Sequence, residues 1–557
     1  MAEFDYIIIG AGSAGCVLAD RLSKDGNSTV LVLEAGGSDR NFWIRMPIGY
    51  GRTFFDPRIN WMFEAEPCSQ TGGRRSYWPR GKVVGGSGSI NALIYCRGLP
   101  GDFADWEALG ATGWGWETVR AHYEAFETRI DENGQASGTG PLHVTNVRRE
   151  IHPSNRHYFA MAREMGLPIT DDCNGEQPEG ITHYRITTRR ARRWSSADAF
   201  LRPALKRPNV TLVTDALVER IMITDGRARG VSAILPTGRA EFSARREIIV
   251  SAGSVNSPKL LQMSGIGPGA LLREFGIDPL VENENVGGNL QDHLGINYYY
   301  KATEPTLNSM LAPWWGKLWH GARYVLTGRG PLGLSVNQCG GFVRSRPGLE
   351  RPDQQIYLNP VTYTTTPEGR RSVVNPDPFP GFILSFQPAR PTSRGRIDIC
   401  SNDVAEAPRI VPNYLSTAKD LEDVIAGGRL IQRMAATKAI RAFAREAMAP
   451  DIERMEDDEI LEDFRQRCGT VFHPVSTCRM GESPATAVLD PELRVFGVRG
   501  LRVADASAFP CITSGNTNAP TIMLAHRAAD LIMRSQADGP ISVQRAQARH
   551  AVEDPQA

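Results

Sequence analysis

The sequence predicts an α/β fold: a parallel sheet assembled from distant stretches of chain, carrying an α+β unit with an antiparallel sheet. Three observations predict it. A strand, helix, strand run opens the chain. Further buried-strand candidates recur far along it, at 210–213, 247–250 and 501–503. From about 303 to 450 the sequence changes character and alternates as antiparallel strands do.

The opening run MAEFDYIIIGAGSAG sets acids ahead of a short apolar stretch, Tyr6 to Ile9, which predicts a buried strand and not a cationic leader. A helix from about Ala14 to Ser23 and a strand from Thr29 to Leu33 follow at βαβ spacing, which implies parallel pairing. Strands at Val210 to Val213, Glu247 to Val250 and Leu501 to Val503 extend one sheet from remote segments. Trp314, Trp315 and Trp319 then cluster, and Pro-, Thr- and Tyr-rich sequence from Ile356 to Tyr414 predicts a second domain laid over the first. The tryptophans could line a pocket, although such a stripe is more often packing or a lid. The tail from 537 to 557 is polar, rich in Gln and Ala, and expected to be disordered.

The 557 residues suffice for two or more domains. Lys and Arg (63) nearly cancel Asp and Glu (62), so no global field favours nucleic acid, and a small, weakly charged substrate is the expected partner. No segment approaches the roughly 18 uninterrupted apolar residues of a membrane span. The expectation is a cytoplasmic protein without an integral membrane segment, with peripheral membrane contact left open. Nine cysteines without a CxxC pair suggest buried thiols, neither a disulfide framework nor a metal site.

Gly10, Gly12 and Gly15 form G-x-G-x-x-G between an apolar strand and a helix. Glycines there let backbone approach a pyrophosphate, and the helix N-terminus offers free N–H donors. Glu34 ends the next strand, near the offset at which an acid grips ribose hydroxyls and disfavours a 2′-phosphate. Together these favour a bound dinucleotide over a plain glycine turn, without separating FAD from NAD.

Longer blocks make that separation. PRGKVVGGSGSINALIYCRG (79–98) resembles the first signature of the glucose-methanol-choline (GMC) oxidoreductases, and AGSVNSPKLLQMSGIG (252–267) their second. GGNLQDH (287–293), RPTSRGRIDI (390–399), FHPVSTCRMG (472–481) and LRVADASAFP…GNTNAPTIM (501–523) are similar to further family blocks, in family order along nearly the whole chain. The resemblance implies a Rossmann-like FAD-binding domain from discontinuous segments, 1–155, 200–302 and 460–536, and a substrate domain from 156–199 and 303–459. It implies FAD contacts from Gly10, Gly12, Ser13, Ala14, Gly15, Glu34 and Ala35, and from Gly85, Gly86, Ser87, Asn91 and Ala92 around the flavin ring. Val218 and Ala252 are implied near the adenosine, and Asp505, Ala506, Asn516, Thr517 and Asn518 near the ribityl chain and pyrimidine. Ser87, Ser89 and Asn91 are hydroxyl and amide groups able to donate to the ring's polar edge. Ile90 stands where some members tether the flavin through a His, so the FAD is expected to be non-covalent. Gly88 stands where many relatives carry Ser.

Hydride leaves an alcohol carbon more readily as the hydroxyl proton departs, so a group titrating near neutrality must sit beside the carbinol. The resemblance implies His473 as that base and Asn516 as the partner that holds the substrate oxygen, with Ser476 at a position where the family usually has Gly. His293 and His526 are expected to be structural. Gln338 occupies the place at which choline-oxidising relatives carry a Glu, which points away from a quaternary ammonium substrate. The expected function is oxidation of a neutral, primary alcohol to the aldehyde by hydride transfer to flavin N5, with a quinone-like acceptor, a dye or oxygen taking the electrons. Sugar or choline dehydrogenation and a lyase-like, non-redox use of the frame are the alternatives.

Overall fold

The computed structural model describes residues 2–365 and 371–537. Six strands, β1 (Ala2–Ile9), β2 (Val30–Leu33), β3 (Val210–Val213), β4 (Leu217–Thr224), β5 (Arg227–Leu235) and β6 (Gly238–Val250), form the first sheet in the order β3-β2-β1-β6-β5-β4. The strand Leu501–Val503 pairs in parallel with β6, and helix α2 (Gly253–Met263) follows β6. β1, β2, β3 and β6 are parallel to one another, while β4, β5 and β6 form an antiparallel meander at one edge. The expected strands are all present, and the sheet is assembled from segments hundreds of residues apart.

The reason lies in their composition. Ile7 to Ile9, Val30 to Leu33 and Ile248 to Val250 are buried without alternation, as parallel strands covered on both faces must be. Helix α1 (Ser13–Leu22) covers one face, buries Val17 and Leu18, and packs against the C-terminal helix Asn518–Ala537. Of the tail expected from 537 to 557, residue 537 instead ends that helix, and 538–557 lie outside the described residues.

The second sheet is antiparallel: β7 (Leu294–Ala302), β8 (Cys339–Val343), β9 (Gln354–Asn359) and β10 (Gly381–Pro388), in the order β8-β9-β10-β7. Ala444–Ala447 and Gly469–Thr470 pair with β7. Ile296, Ile356, Leu358, Leu384 and Phe386 make its core. β7 begins inside 200–302, the stretch the sequence assigns to the first domain, so the chain crosses from one sheet to the other within that stretch.

Two expectations are corrected. The three clustered tryptophans lie on α3 (Trp314–Thr327) and are all exposed, neither packed nor lining a pocket. The nine cysteines are all unpaired, but Cys400 is exposed and Cys511 only partly buried. Among the described residues no helix is long and apolar enough to cross a membrane.

Candidate active site

A cleft of about 260 Å3 runs from the β1–α1 turn to residues 471–474, directly after the short strand Gly469–Thr470 that pairs with β7. Three helices open on it with their N-termini: α1 at Ser13, the helix that follows β6 at Gly253, and the C-terminal helix at Asn518. Each first turn holds N–H groups without an intrahelical acceptor. At α1 no side chain caps them and the first turn carries no acid. Such a donor set suits a pyrophosphate or another electron-rich edge.

Glycines make the approach possible. A Cβ at Gly86 would come within 2.8 Å of the Gly12 Cα, so the second glycine loop lies directly on the first. Gly10, Gly12, Ser13, Ala14, Glu34, Ala35, Gly86, Ser87, Asn91, Ala92, Val218, Ala252, Asp505, Ala506, Asn516, Thr517 and Asn518 all line the cleft. Gly15 and Gly85 do not. A Cβ at Gly15 would strike the Gly10 carbonyl, so that glycine serves helix-to-strand packing. Gly85 takes φ +87 and donates its N–H to Ala11 O at 2.7 Å, tying the second loop to the first. Ser89 is also corrected: it is fully buried and its hydroxyl donates to Val84 O at 2.8 Å.

Glu34 accepts from the N–H of Ala11 and of Gly36, each at 2.8 Å. Burial pushes its carboxyl up to about 7, against those donors, which pull it down. Asp505 accepts from Gly253 N–H at 2.8 Å and from the Ser257 hydroxyl at 2.6 Å. The Ser13 hydroxyl donates to Asn518 Oδ1 at 2.7 Å and so joins two of the helix N-termini. Glycine approach, orphaned donors and a carboxylate at the strand end are the groups FAD requires, so the residues present fit it.

Arg193 was not legible as part of this site. It is fully buried, donating to Asn91 Oδ1 and Asn91 O at 2.6 Å, to Gly88 O at 3.2 Å and to Ile44 O at 3.0 Å. It therefore pins the glycine loop from behind. In TTRRARR it looks like one more charge in a solvated run.

At the other end of the cleft Phe54, Trp61, Phe63, Leu93, Ile94 and Phe472 form an apolar wall around His473 and Asn516. GGNLQDH holds His473 in place through consecutive residues. Gln291 exchanges backbone hydrogen bonds with Val475, and Asp292 accepts from His473 N–H at 2.8 Å. His293 Nδ1 lies 3.0 Å from His473 Nδ1, and His293 Nε2 lies 2.9 Å from Ala389 O. A carbonyl only accepts, so His293 carries its hydrogen on Nε2 and presents a bare Nδ1. His473 must then donate from Nδ1, which leaves its Nε2 as a free base. That Nε2 faces Asn516 Nδ2 at 3.1 Å. Gln355 Nε2, 3.5 Å from Asn516 Oδ1, favours the amide orientation that points Nδ2 at the histidine. Burial is the main cause that holds His473 well below the usual histidine range, helped by His293 and Arg80, and burial lowers His293 to about 4. His293, expected to be only structural, thus fixes the tautomer of the base. His526 lies elsewhere, beside His122.

Gln338 is also placed differently from the expectation. It does not line the cleft; its Oε1 accepts from His152 N–H and the Asn155 amide, bracing a loop. The only carboxylates among the residues lining the cleft are Glu34 and Asp505, both at the dinucleotide end, and the charged side chain that lines it beside His473 is Arg80, whose Nη2 donates to Phe472 O at 2.7 Å.

The N-terminal GMC oxidoreductase family model matches residues 4–295 and the C-terminal one residues 391–525. An oxygen-dependent choline dehydrogenase of Vibrio vulnificus (strain YJ016) is 40% identical over 538 residues, 96% of this chain and 95% of its own. An alcohol dehydrogenase (acceptor) of Pseudomonas putida is 38% identical over 536 residues, 95% of this chain and 96% of its own. The crystal structure of pyridoxine 4-oxidase from Mesorbium loti superposes with a TM-score of 0.84 at 28% identity, covering 95% of this chain and 98% of that one. GMC oxidoreductases are FAD-dependent flavoproteins. Both family models and two relatives of near-equal length agree, and the chain belongs to the GMC oxidoreductase family.

Proposed function

We propose that the protein oxidises a neutral, primary alcohol to the aldehyde, with FAD held non-covalently and electrons passed to a quinone-like acceptor or to oxygen. The observation that carries this reading is the lining of the cleft around His473 Nε2: an apolar wall, an amide and a guanidinium, while the neighbouring carboxylate, Asp292, is turned to the His473 backbone N–H and does not line the cleft. A desolvated quaternary ammonium would meet Arg80 where it needs an anion. An alkyl or aryl alcohol meets apolar surface and two polar groups.

Bound FAD supplies the hydride acceptor. Gly86, Ser87, Asn91, Ala92, Thr517 and Asn518 would hold its ring end, and Glu34, Ala35 and Val218 its adenosine end. His473 Nε2 accepts the hydroxyl proton of the substrate, and Asn516 Nδ2 donates to the oxygen as negative charge develops on it. His293 keeps His473 in the tautomer that can accept. Ile90, an aliphatic side chain in the cleft, offers no atom for a covalent flavin link.

Anaerobic mixing with a panel of alcohols tests the reading. Loss of the oxidised flavin absorbance with aliphatic or benzylic alcohols, faster than with choline or a sugar, is the expected result. Choline reducing the flavin faster than every neutral alcohol would overturn it in favour of the reading that the choline-named relative suggests.

A further inference from the structure

Helix α3 is built inside out for a soluble protein. Its inward stripe is Gly316, His320 and Tyr324, spaced four residues apart, small or polar. Its outward face carries Trp314 (73% exposed), Trp315, Leu318 (65%), Trp319 (64%), Val325 and Leu326 (82%). These are six of the 13 large hydrophobic residues that are exposed among the described residues, gathered on one helix of 14 residues. Isolated exposed apolar residues need no explanation, but a contiguous ridge with three indoles does.

The segments that form the ridge and pack against its end carry one sign of charge. No Asp or Glu occurs from 305 to 349 or from 180 to 197. Lys317, Arg323 and Arg329 are exposed on and just beyond the helix. The tight turn carrying Arg190 and Arg192 packs against its C-terminal end, where the Tyr324 hydroxyl donates to Ala191 O at 3.0 Å. None of these five cations has a carboxylate partner among the described residues. Indoles beside aliphatic side chains, ringed by unpaired Lys and Arg, match the boundary between acyl chains and anionic headgroups. Nearly balanced total charge makes the local asymmetry stronger evidence, since the acids sit elsewhere. At roughly 1.5 Å per residue the helix is too short to span a bilayer and suited to lie in its surface.

We infer that α3 docks the enzyme on an anionic lipid bilayer, with Trp314, Trp315, Leu318, Trp319 and Leu326 sunk into the interface and Arg190, Arg192 and Arg323 against the headgroups. Its position bears on the active site. The helix Leu307–Leu311, directly before α3, and Leu334, just after it, share one apolar cluster with Leu93, Ala92 and Phe54, which line the cleft. Docking there brings the apolar end of the cleft close to a surface in which long-chain alcohols and lipophilic quinones concentrate.

The test uses the holoenzyme and vesicles of phosphatidylcholine alone or mixed with phosphatidylglycerol. The wild type should sediment with the mixed vesicles, with blue-shifted tryptophan emission, and bind less to phosphatidylcholine alone or at high salt. Trp315→Gln with Trp319→Gln should weaken that binding by about tenfold or more. Arg190→Gln with Arg192→Gln should flatten the dependence on phosphatidylglycerol. FAD content and anaerobic reduction by a soluble alcohol should be unchanged in both variants, which separates this inference from the assignment of the chemistry. Wild-type protein that stays in the supernatant, or a tryptophan variant that binds as tightly, would overturn it. So would a wild type that forms dimers without lipid while the tryptophan variant is monomeric, since a second copy would then be the occupant.

Discussion

His293 and His473 meet through like atoms, Nδ1 to Nδ1 at 3.0 Å, 180 residues apart in sequence. Only one of two facing nitrogens can carry a hydrogen while both rings are neutral, and the Ala389 carbonyl decides which. The consequence is that the free lone pair of His473 is set by a residue that does not line the cleft.

Replacing His293 should therefore change the chemistry without emptying the site. His293→Leu leaves the His473 Nδ1–H without an acceptor in a buried place and frees the ring to flip its tautomer. Anaerobic flavin reduction should slow by about 10- to 100-fold with FAD retained. His293→Asn restores an acceptor and should recover much of the rate. Equal rates for all three proteins, with superimposable pH profiles, would make His293 a packing residue only.

The pH profile of flavin reduction should place the base on the acid side of an ordinary histidine. Burial disfavours protonated His473, so its pKa lies well below 6.5 and Nε2 remains free as pH falls through 6.5. The acid limb should appear only further down. His473→Ala should lose about 10² to 10⁴ in the rate of reduction, whereas Asn516→Ala should lose rate and keep the acid limb, since an amide does not titrate there. An acid limb centred at 6.5 or above in the wild type would contradict the burial argument.

Glu34 gives a prediction that needs no turnover. Its carboxyl reaches about 7 through burial, and ribose hydroxyl donors would favour the ionised form. Binding of FAD to the apoprotein should thus release a proton, and affinity should weaken as pH falls from above 7 to below it. Glu34→Gln should bind about 10- to 100-fold less tightly and lose that dependence. Fluorescence titration of apoprotein with FAD reads both, and identical curves at each pH would remove Glu34 from the ribose role.

Ser476 replaces the glycine usual in its block, and the structure supplies the reason a glycine suits it. The residue takes φ +72, and its fully buried hydroxyl finds no partner among the described residues. A left-handed conformation costs a side-chain-bearing residue roughly 1–2 kcal/mol, partly offset by the backbone entropy a glycine loses. Ser476→Gly should raise the unfolding free energy by about 1 kcal/mol in denaturant melts. A variant no more stable than the wild type would mean that the loop relaxes around the serine at no cost.

The sequence alone determined what short-range pattern can record. Unbroken apolar runs such as Ile7 to Ile9 and Ile248 to Val250 mark strands covered on both faces. A glycine spacing at a strand end marks a backbone that must meet a ligand. Those signals, with blocks in family order, gave the sheet, the cleft and His473 with Asn516. Tertiary structure decided everything that depends on which remote group arrives. The Arg193 of a charge run turned inward to hold Asn91, Gln338 turned to His152 and away from the cleft, and His293 became the acceptor behind His473. The same holds for α3. Helical period told which residues share a stripe, but only packing showed that Gly316, His320 and Tyr324 face inward and the tryptophans out. Periodicity fixes relative directions around an element, whereas burial is set by its neighbours.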